Sequence, residues 1–437
     1  MKKTLQIISI AVVTFLNTSS LKAQYITSSD SAFAAGKPMT GRIWGLVFGD
    51  YYYKSHADAL NRGGSNQYSG IPQDNNAFQF RRIWFGYDYN FNKKFSSELL
   101  LAAEDNSPIG NPPTATSVNG DELLNNKLAF YIKLANLRIK NIWQGTDLVI
   151  GPQSTPAFGA TSDRTWSYRS IEKTLADLRR TPAFDFGIGL QGTFDPKTRN
   201  YGYNFLIADG TGAKPASNRY KWVYGDIWAK FFNQKLIVDI FADYYKLHWT
   251  DTWHHSRQML KGFIGYNTSP ITVGLEGFIN NLKQDVFATK ATGGVDTLNN
   301  VANGISIFVH GDIIKSKLRF FARYDSYTPT NKVNNGVYNK YVLNTGNYND
   351  NSYSSVATSS AAAVATGDQT YKQSFITLGL DFMPTKNVHI MPNIWYNRYA
   401  TQLSADLNNS INGALADKAK GDYDFVYRVT FFYTFGK

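Results

Sequence analysis

The chain has 437 residues, no cysteine, and 45 basic against 33 acidic side chains, a formal charge of +12. Without thiols it forms neither disulfides nor thiolate metal sites, and so mild and dispersed a charge offers no nucleic-acid-binding stripe. Aromatic residues reach 15%, with 28 Tyr and 29 Phe, although the mean hydropathy is negative. That combination is odd for a soluble core and expected of a transmembrane β-barrel, where alternate residues face lipid and aromatic girdles mark both interfaces.

In chain order, the first element is MKKTLQIISIAVVTFL followed by NTSSLKAQ. Two lysines, an apolar run and a small polar stretch predict a secretory signal peptide over 1–23, with cleavage after Ala23. The run of about ten apolar residues is too short to cross a bilayer, and no later stretch approaches the roughly 18 a spanning helix needs. Residues 24–437 then read as one barrel domain.

About sixteen short alternating segments follow, near 41–53, 78–90, 95–104, 127–134, 146–152, 183–194, 200–208, 220–231, 235–246, 257–266, 271–282, 303–313, 317–326, 372–382, 387–397 and 424–436. Their period of two separates a dry face from a wet one. Leu236, Val238 and Ile240 oppose Asp239 and Asp243. Leu318, Phe320, Ala322 and Tyr324 oppose Arg319, Arg323 and Asp325. Tyr427, Val429, Phe431 and Tyr433 oppose Arg428 and Thr430. Connections alternate in length: long near 54–77, 105–126, 153–182, 209–219, 247–256, 283–302, 327–371 and 398–423, and short at NFNKK, DPKTR, FNQ, NTSP and MPTKN; the stretch 135–145 is intermediate. Long loops at one end and tight turns at the other are the build of an outer-membrane barrel. Lipid satisfies no backbone donor, so such a sheet must close on itself. The predicted fold is therefore all-β, a transmembrane antiparallel barrel of about sixteen strands with long extracellular loops.

One segment breaks the pattern. RTWSYRSIEKTLADLRR (164–180) spaces Ile171, Leu175 and Leu178 at helical intervals and carries Arg164, Arg169, Lys173, Arg179 and Arg180. It belongs to the third long connection. Its apolar side suits the barrel wall, which would leave its basic side facing water.

FQFRRIWFGYDYNFNKKF (78–95), LVIGPQSTPAFG (148–159) and WSYRSIEKTLADLRRTPAFDFGIGLQGTF (166–194) together resemble the phosphate-selective porins O and P. The family has a paired-arginine strand, an IGxxxxPxFG-like strand end and a basic segment before a DxGxxxxG strand, in this order. FFARYDSY (320–327) and VHIMPNIWY (388–396) continue the likeness, which covers most of 24–437 in patches. The resemblance implies a sixteen-stranded trimeric porin whose third loop folds inward to narrow the pore. On that reading Arg164, Arg169, Lys173, Arg179 and Arg180 line the constriction.

Strand alternation adds Arg82, Lys127, Lys133, Arg319, Arg323 and Arg428 to the inward face. Guanidinium groups stay charged and fork towards oxyanions, so a ladder of them would draw small anions. Glu98, Asp185, Asp239, Asp243 and Asp325 point inward as well, so the same cations have structural partners available. The reading is an outer-membrane porin for small hydrophilic solutes with an anion preference, phosphate itself being unspecified. Its partners would be membrane lipid, anionic or neutral solutes, two further copies and the barrel-insertion machinery, which reads an aromatic final strand; here the last aromatic, Phe435, stands two residues from the end. The alternative is a non-conducting barrel serving a surface or secretion complex. A channel for hydrophobic solutes fits the charged inner faces poorly.

No catalytic, cofactor or metal site is predicted. His310 and Asp312 share a strand face, two residues apart, but no serine motif accompanies them. His254 and His255 are adjacent and so diverge on extended backbone. FGIGLQG lacks phosphate-loop spacing.

Overall fold

The computed structural model describes residues 40–436 apart from 61, 63–67, 69, 105–121, 124–126, 129, 158–160, 180–181, 217–218, 250, 252, 291, 330, 332–336, 344–356, 359–370, 401–416 and 419. The predicted signal peptide, 1–23, lies outside them.

Sixteen antiparallel strands form the barrel: β1 (Thr40–His56), β2 (Asn76–Asn90), β3 (Phe95–Glu104), β4 (Tyr131–Trp143), β5 (Thr146–Ser154), β6 (Phe184–Thr193), β7 (Tyr201–Ala208) and β8 (Trp222–Phe231), then β9 (Leu236–Trp249), β10 (His254–Asn267), β11 (Ile271–Lys290), β12 (Val295–Ile314), β13 (Leu318–Thr328), β14 (Lys372–Thr385), β15 (Val388–Ala400) and β16 (Asp422–Phe435). Each pairs with its sequence neighbours. β16 returns to β1 in a ladder from Gly45↔Phe435 to His56↔Phe425, which closes the sheet and removes its edges.

The alternation read from the sequence is the alternation of the wall. On β9, Ile240 is 59% exposed while Asp239 and Asp243 are buried. An outward belt of Ile, Leu and Val includes Ile227, Ile240, Leu260 and Ile305. Phe91, Phe95, Trp143, Phe194, Phe232 and Phe435 ring it at the short-turn end, and Phe78, Phe80, Phe130 and Tyr427 are exposed towards the long-loop end. This is a lipid-facing surface with two aromatic girdles. A charge within it should be penalised by depth. Ile240→Arg, in the belt, is expected to cost about 2–4 kcal/mol and Phe232→Arg, at the rim, about 0–1. Urea unfolding midpoints in lipid vesicles check this, and equal losses would contradict the placement of the belt.

Three boundaries differ from the sequence reading. The fourth strand was expected at 127–134 with a connection near 135–145, but β4 runs from Tyr131 to Trp143 and turns tightly at Gly145, whose φ is +83°. Lys127 therefore precedes the barrel. It sits on a two-residue strand, Lys127–Leu128, paired with Glu122–Leu123 in a separate sheet. The expected loops 247–256 and 283–302 are mostly strand: β9 and β10 extend to Trp249 and His254, and β11 and β12 form a hairpin of two 20-residue strands. Backbone pairing continues there past the point where the apolar alternation fades. Tyr338–Leu343 extends the sheet by pairing with Val286–Lys290 of β11.

Gly151 of β5 marks a close approach. Its φ is +114°, and a Cβ there would lie 2.4 Å from the Ala135 carbonyl oxygen. Only glycine lets β5 meet β4 in this way.

Candidate functional site

The interior is set first by two β-bulges. In the β1–β2 ladder Phe48 faces Arg82 and Gly49 faces Phe80, so Arg81 is the extra residue. In the β3–β4 ladder Leu100 faces Leu134 and Leu101 faces Ile132, so Lys133 is extra. A bulge turns two successive side chains to one face. Arg81 and Arg82 are thus both buried inside, as are Lys133 and Leu134. Alternation alone places only Arg82 of the arginine pair inward.

Into this interior folds the connection from β5 to β6. Its ends meet where the Thr155 N–H donates to the Ala183 carbonyl at 3.2 Å, so the intervening residues form an excursion with a closed neck. The helical spacing resolves into two short helices rather than one, α1 (Ser162–Trp166) and α2 (Leu175–Leu178). Ser167, at φ 63°, takes the left-handed turn that ends α1. Trp166, Tyr168 and Ile171 pack with Trp84, Phe308, Phe321 and Phe432 of the wall. Leu175 and Ala176 pack with Trp222, Tyr224 and Phe278 on another sector. Leu178 is half-buried.

Polar bonds fasten the excursion from nearly every side. Wall arginines donate to its backbone carbonyls: Arg81 to Ser170 at 2.8 Å, Arg428 to Ile171 at 2.8 Å and Arg323 to Lys173 at 2.5 Å. The Trp395 indole N–H donates to the Glu172 carboxylate at 2.9 Å, and Tyr168 donates to Asp381 at 3.2 Å. Thr161 donates to Asp239 at 3.0 Å, and the Ala176 N–H donates to Glu276 at 2.9 Å.

The expected basic constriction is accordingly rearranged. Arg169 is buried, bridging Asp163 at 3.0 Å and Asp177 at 2.5 Å within the excursion itself. Arg179 is buried, donating to Gln373 at 2.6 Å with its guanidinium 4.6 Å from the Tyr327 ring centre. Arg164 and Lys173 are half-buried, and Arg180 lies outside the described residues. The expectation that these arginines face water is corrected for Arg169 and Arg179: the carboxylates of Asp163 and Asp177 and the amide oxygen of Gln373 compete for them more strongly than solvent does. Burial lowers the pKa of the Lys173 ammonium, with Arg82 and Arg169 adding to the fall and Asp177 and Glu104 opposing it. Burial likewise raises the pKa of the Asp163 carboxyl, against the Arg169 guanidinium beside it.

On the wall, Arg82 and Lys133 converge on Glu104 at 3.1 and 2.5 Å. Arg319 pairs with Asp312 at 3.0 Å, Arg323 with Asp325 at 2.5 Å, and Arg428 with Asn393 and Tyr68. Arg319 also donates to His310 Nδ1 at 2.9 Å, while His310 Nε2 meets the Thr165 carbonyl at 2.9 Å. Since a guanidinium only donates, that imidazole is neutral with its proton on Nε2. His310 and Asp312 thus share an arginine instead of forming a base and its orienter. His254 and His255 stack on different tryptophans, Trp249 and Trp253. Among the described residues no group of three His, Asp or Glu could hold a metal ion.

No family model matches this chain, and no curated protein does. Solved structures do. The outer membrane channel DcaP of Acinetobacter baumannii superposes with a TM-score of 0.54 at 11% identity, over 91% of this chain and 98% of that one. OmpT of Vibrio cholerae, described as outer-membrane expressed, gives 0.50 at 11% identity over 94% and 100%. OmpF of Salmonella typhi, in complex with daunomycin, gives 0.50 at 11% identity over 93% and 99%. The fold is a porin fold. At these identities the likeness is one of architecture, and it singles out no phosphate-selective type. What the porin fold adds locally is a frame: a closed sixteen-stranded wall whose third long connection crosses the interior, with wall and connection joined by the bonds above.

Proposed function

We propose that this chain is an outer-membrane channel of a Gram-negative bacterium through which small hydrophilic solutes diffuse, with residues 161–179 setting the width of the passage. The observation that carries this reading is a closed barrel with a lipid-facing belt whose interior holds charged and polar side chains rather than an apolar core alone. Homotrimeric assembly belongs to the same reading, and no enzymatic step does. Solutes would pass between the excursion and the wall. The anion preference expected from the sequence is not carried over, because Arg169, Arg179, Arg319 and Arg323 are engaged with acids, an amide oxygen or loop carbonyls.

A specific observation favours a second reading, a closed barrel that serves as a partner in a surface assembly. The excursion is packed on two sectors, and the cavity between Glu172, Leu175, Arg179, Tyr327 and Trp395 holds about 10 Å³, room for a single water. Planar-bilayer recording of the purified protein separates the two. Steady single-channel steps are the expected result; a folded, inserted barrel that never conducts would leave only the partner reading.

A further inference from the structure

The sign of the buried charge is opposite to the sign of the chain. Basic side chains outnumber acidic ones 45 to 33 overall, yet among the described residues eighteen carboxylates and thirteen lysines or arginines are buried. The positive excess therefore lies outside the buried set.

The acid excess is concentrated on one arc. On β8, β9 and β11 stand Asp226, Asp239 and Glu276, all buried, with Lys261 of β10 as the cation between them. Register pairs Asp226 with Phe241 and Asp239 with Trp228, which makes the two aspartates diagonal neighbours on the inner wall. Lys261 commits its ammonium to Asp239 Oδ2 at 2.9 Å. One oxygen of each carboxylate, Asp226 Oδ2, Asp239 Oδ1 and Glu276 Oε2, is buried without a hydrogen-bond partner among the described residues. Two further groups beside the arc are in the same state and fully buried. Both amide atoms of Asn280, on the same inward face of β11 as Glu276, lack partners, as does the hydroxyl of Ser162, next to the Thr161 that bonds Asp239. A buried, unpaired carboxylate oxygen is costly to leave bare and calls for a donor or a cation.

We infer that the passage prefers cations to anions, with the acidic arc of β8–β11 supplying the fixed negative charge that enriches alkali and small ammonium ions. This rests on the channel reading and names its substrate class. Net fixed charge of one sign in a low-dielectric cleft enriches ions of the other sign, and the wall arginines that would oppose it are held to loop carbonyls and acids.

The test is the reversal potential of single channels across a KCl gradient, for the natural protein and for the Asp226→Asn/Glu276→Gln variant. Both substitutions keep an acceptor oxygen, for the Asn204 and Ala176 N–H groups respectively, and folding is confirmed by heat-dependent gel mobility. The natural protein should show a cation-signed potential, and the variant a K⁺/Cl⁻ permeability ratio lower by roughly two- to tenfold at low salt. An anion-signed potential in the natural protein overturns the inference while sparing the channel reading. A ratio unmoved in the folded variant also overturns it, because those carboxylates would then carry protons. If a folded natural barrel passes no current, the channel reading fails and this inference with it. The natural protein's sign decides even if the variant does not fold.

Discussion

Replacing residues 164–178 by a short glycine–serine linker is expected to raise single-channel conductance at least about threefold, since an unobstructed sixteen-stranded wall encloses an aqueous channel. The substitution is sterically simple because the neck is already closed by the Thr155–Ala183 hydrogen bond. It removes Trp166, Tyr168 and Ile171 from one aromatic sector and Leu175 and Ala176 from the other, while every rung of the barrel ladder survives. A graded version tests the fastening itself. Arg428→Met keeps the side chain's bulk but loses the bond to the Ile171 carbonyl, a charge-assisted bond worth about 1.5–3 kcal/mol. That loss should make the excursion release more often, seen as added noise or brief larger openings. Unchanged conductance in the linker variant would mean that ions pass beside residues 164–178 without being narrowed by them, and would sink the idea that this segment sets the width.

Why the strands were legible and the fastening was not follows from the kind of signal each leaves. Period-two alternation, as in Leu236–Val238–Ile240 against Asp239 and Asp243, is imposed by two solvents and so is written into side chains. A bulge needs only one inserted residue, and Arg81 looks like an outward position until the Phe48–Gly49 slip is seen. The partners of Arg81, Arg323 and Arg428 are backbone carbonyls, which every residue has, so no residue type announces them. The basic character of 164–180 was visible, but its meaning was not. Sequence counts charges, whereas the function depends on which of them are paired, and the pairing arises from strands far apart in the chain. Glu104 is the case that could have been read: it has the parity of Glu98 on β3 and so an inward face.

Glu104→Ala is expected to cost about 3–5 kcal/mol of stability, the penalty for leaving buried cations without their counter-ion. Its carboxylate takes Lys133 Nζ at 2.5 Å, the Trp84 indole N–H at 2.7 Å and Arg82 Nε at 3.1 Å. Both cations stand over the Trp84 ring, with Arg82 5.3 Å and Lys133 5.1 Å from its centre, so removal of the acid leaves two like charges beside one aromatic ring without their shared counter-ion. Glu104→Gln should lose less, because an amide oxygen can still accept from one of the three donors. The decisive comparison is Glu104→Ala/Lys133→Met. Removing both an ion and its partner is far less costly than removing one, so the double variant should recover part of the loss even though it carries more substitutions. Unfolding midpoints in urea, read by intrinsic fluorescence in lipid vesicles, give all three values. If the double variant is less stable than Glu104→Ala alone, then packing around Lys133, and not the unpaired charge, is what Glu104 protects.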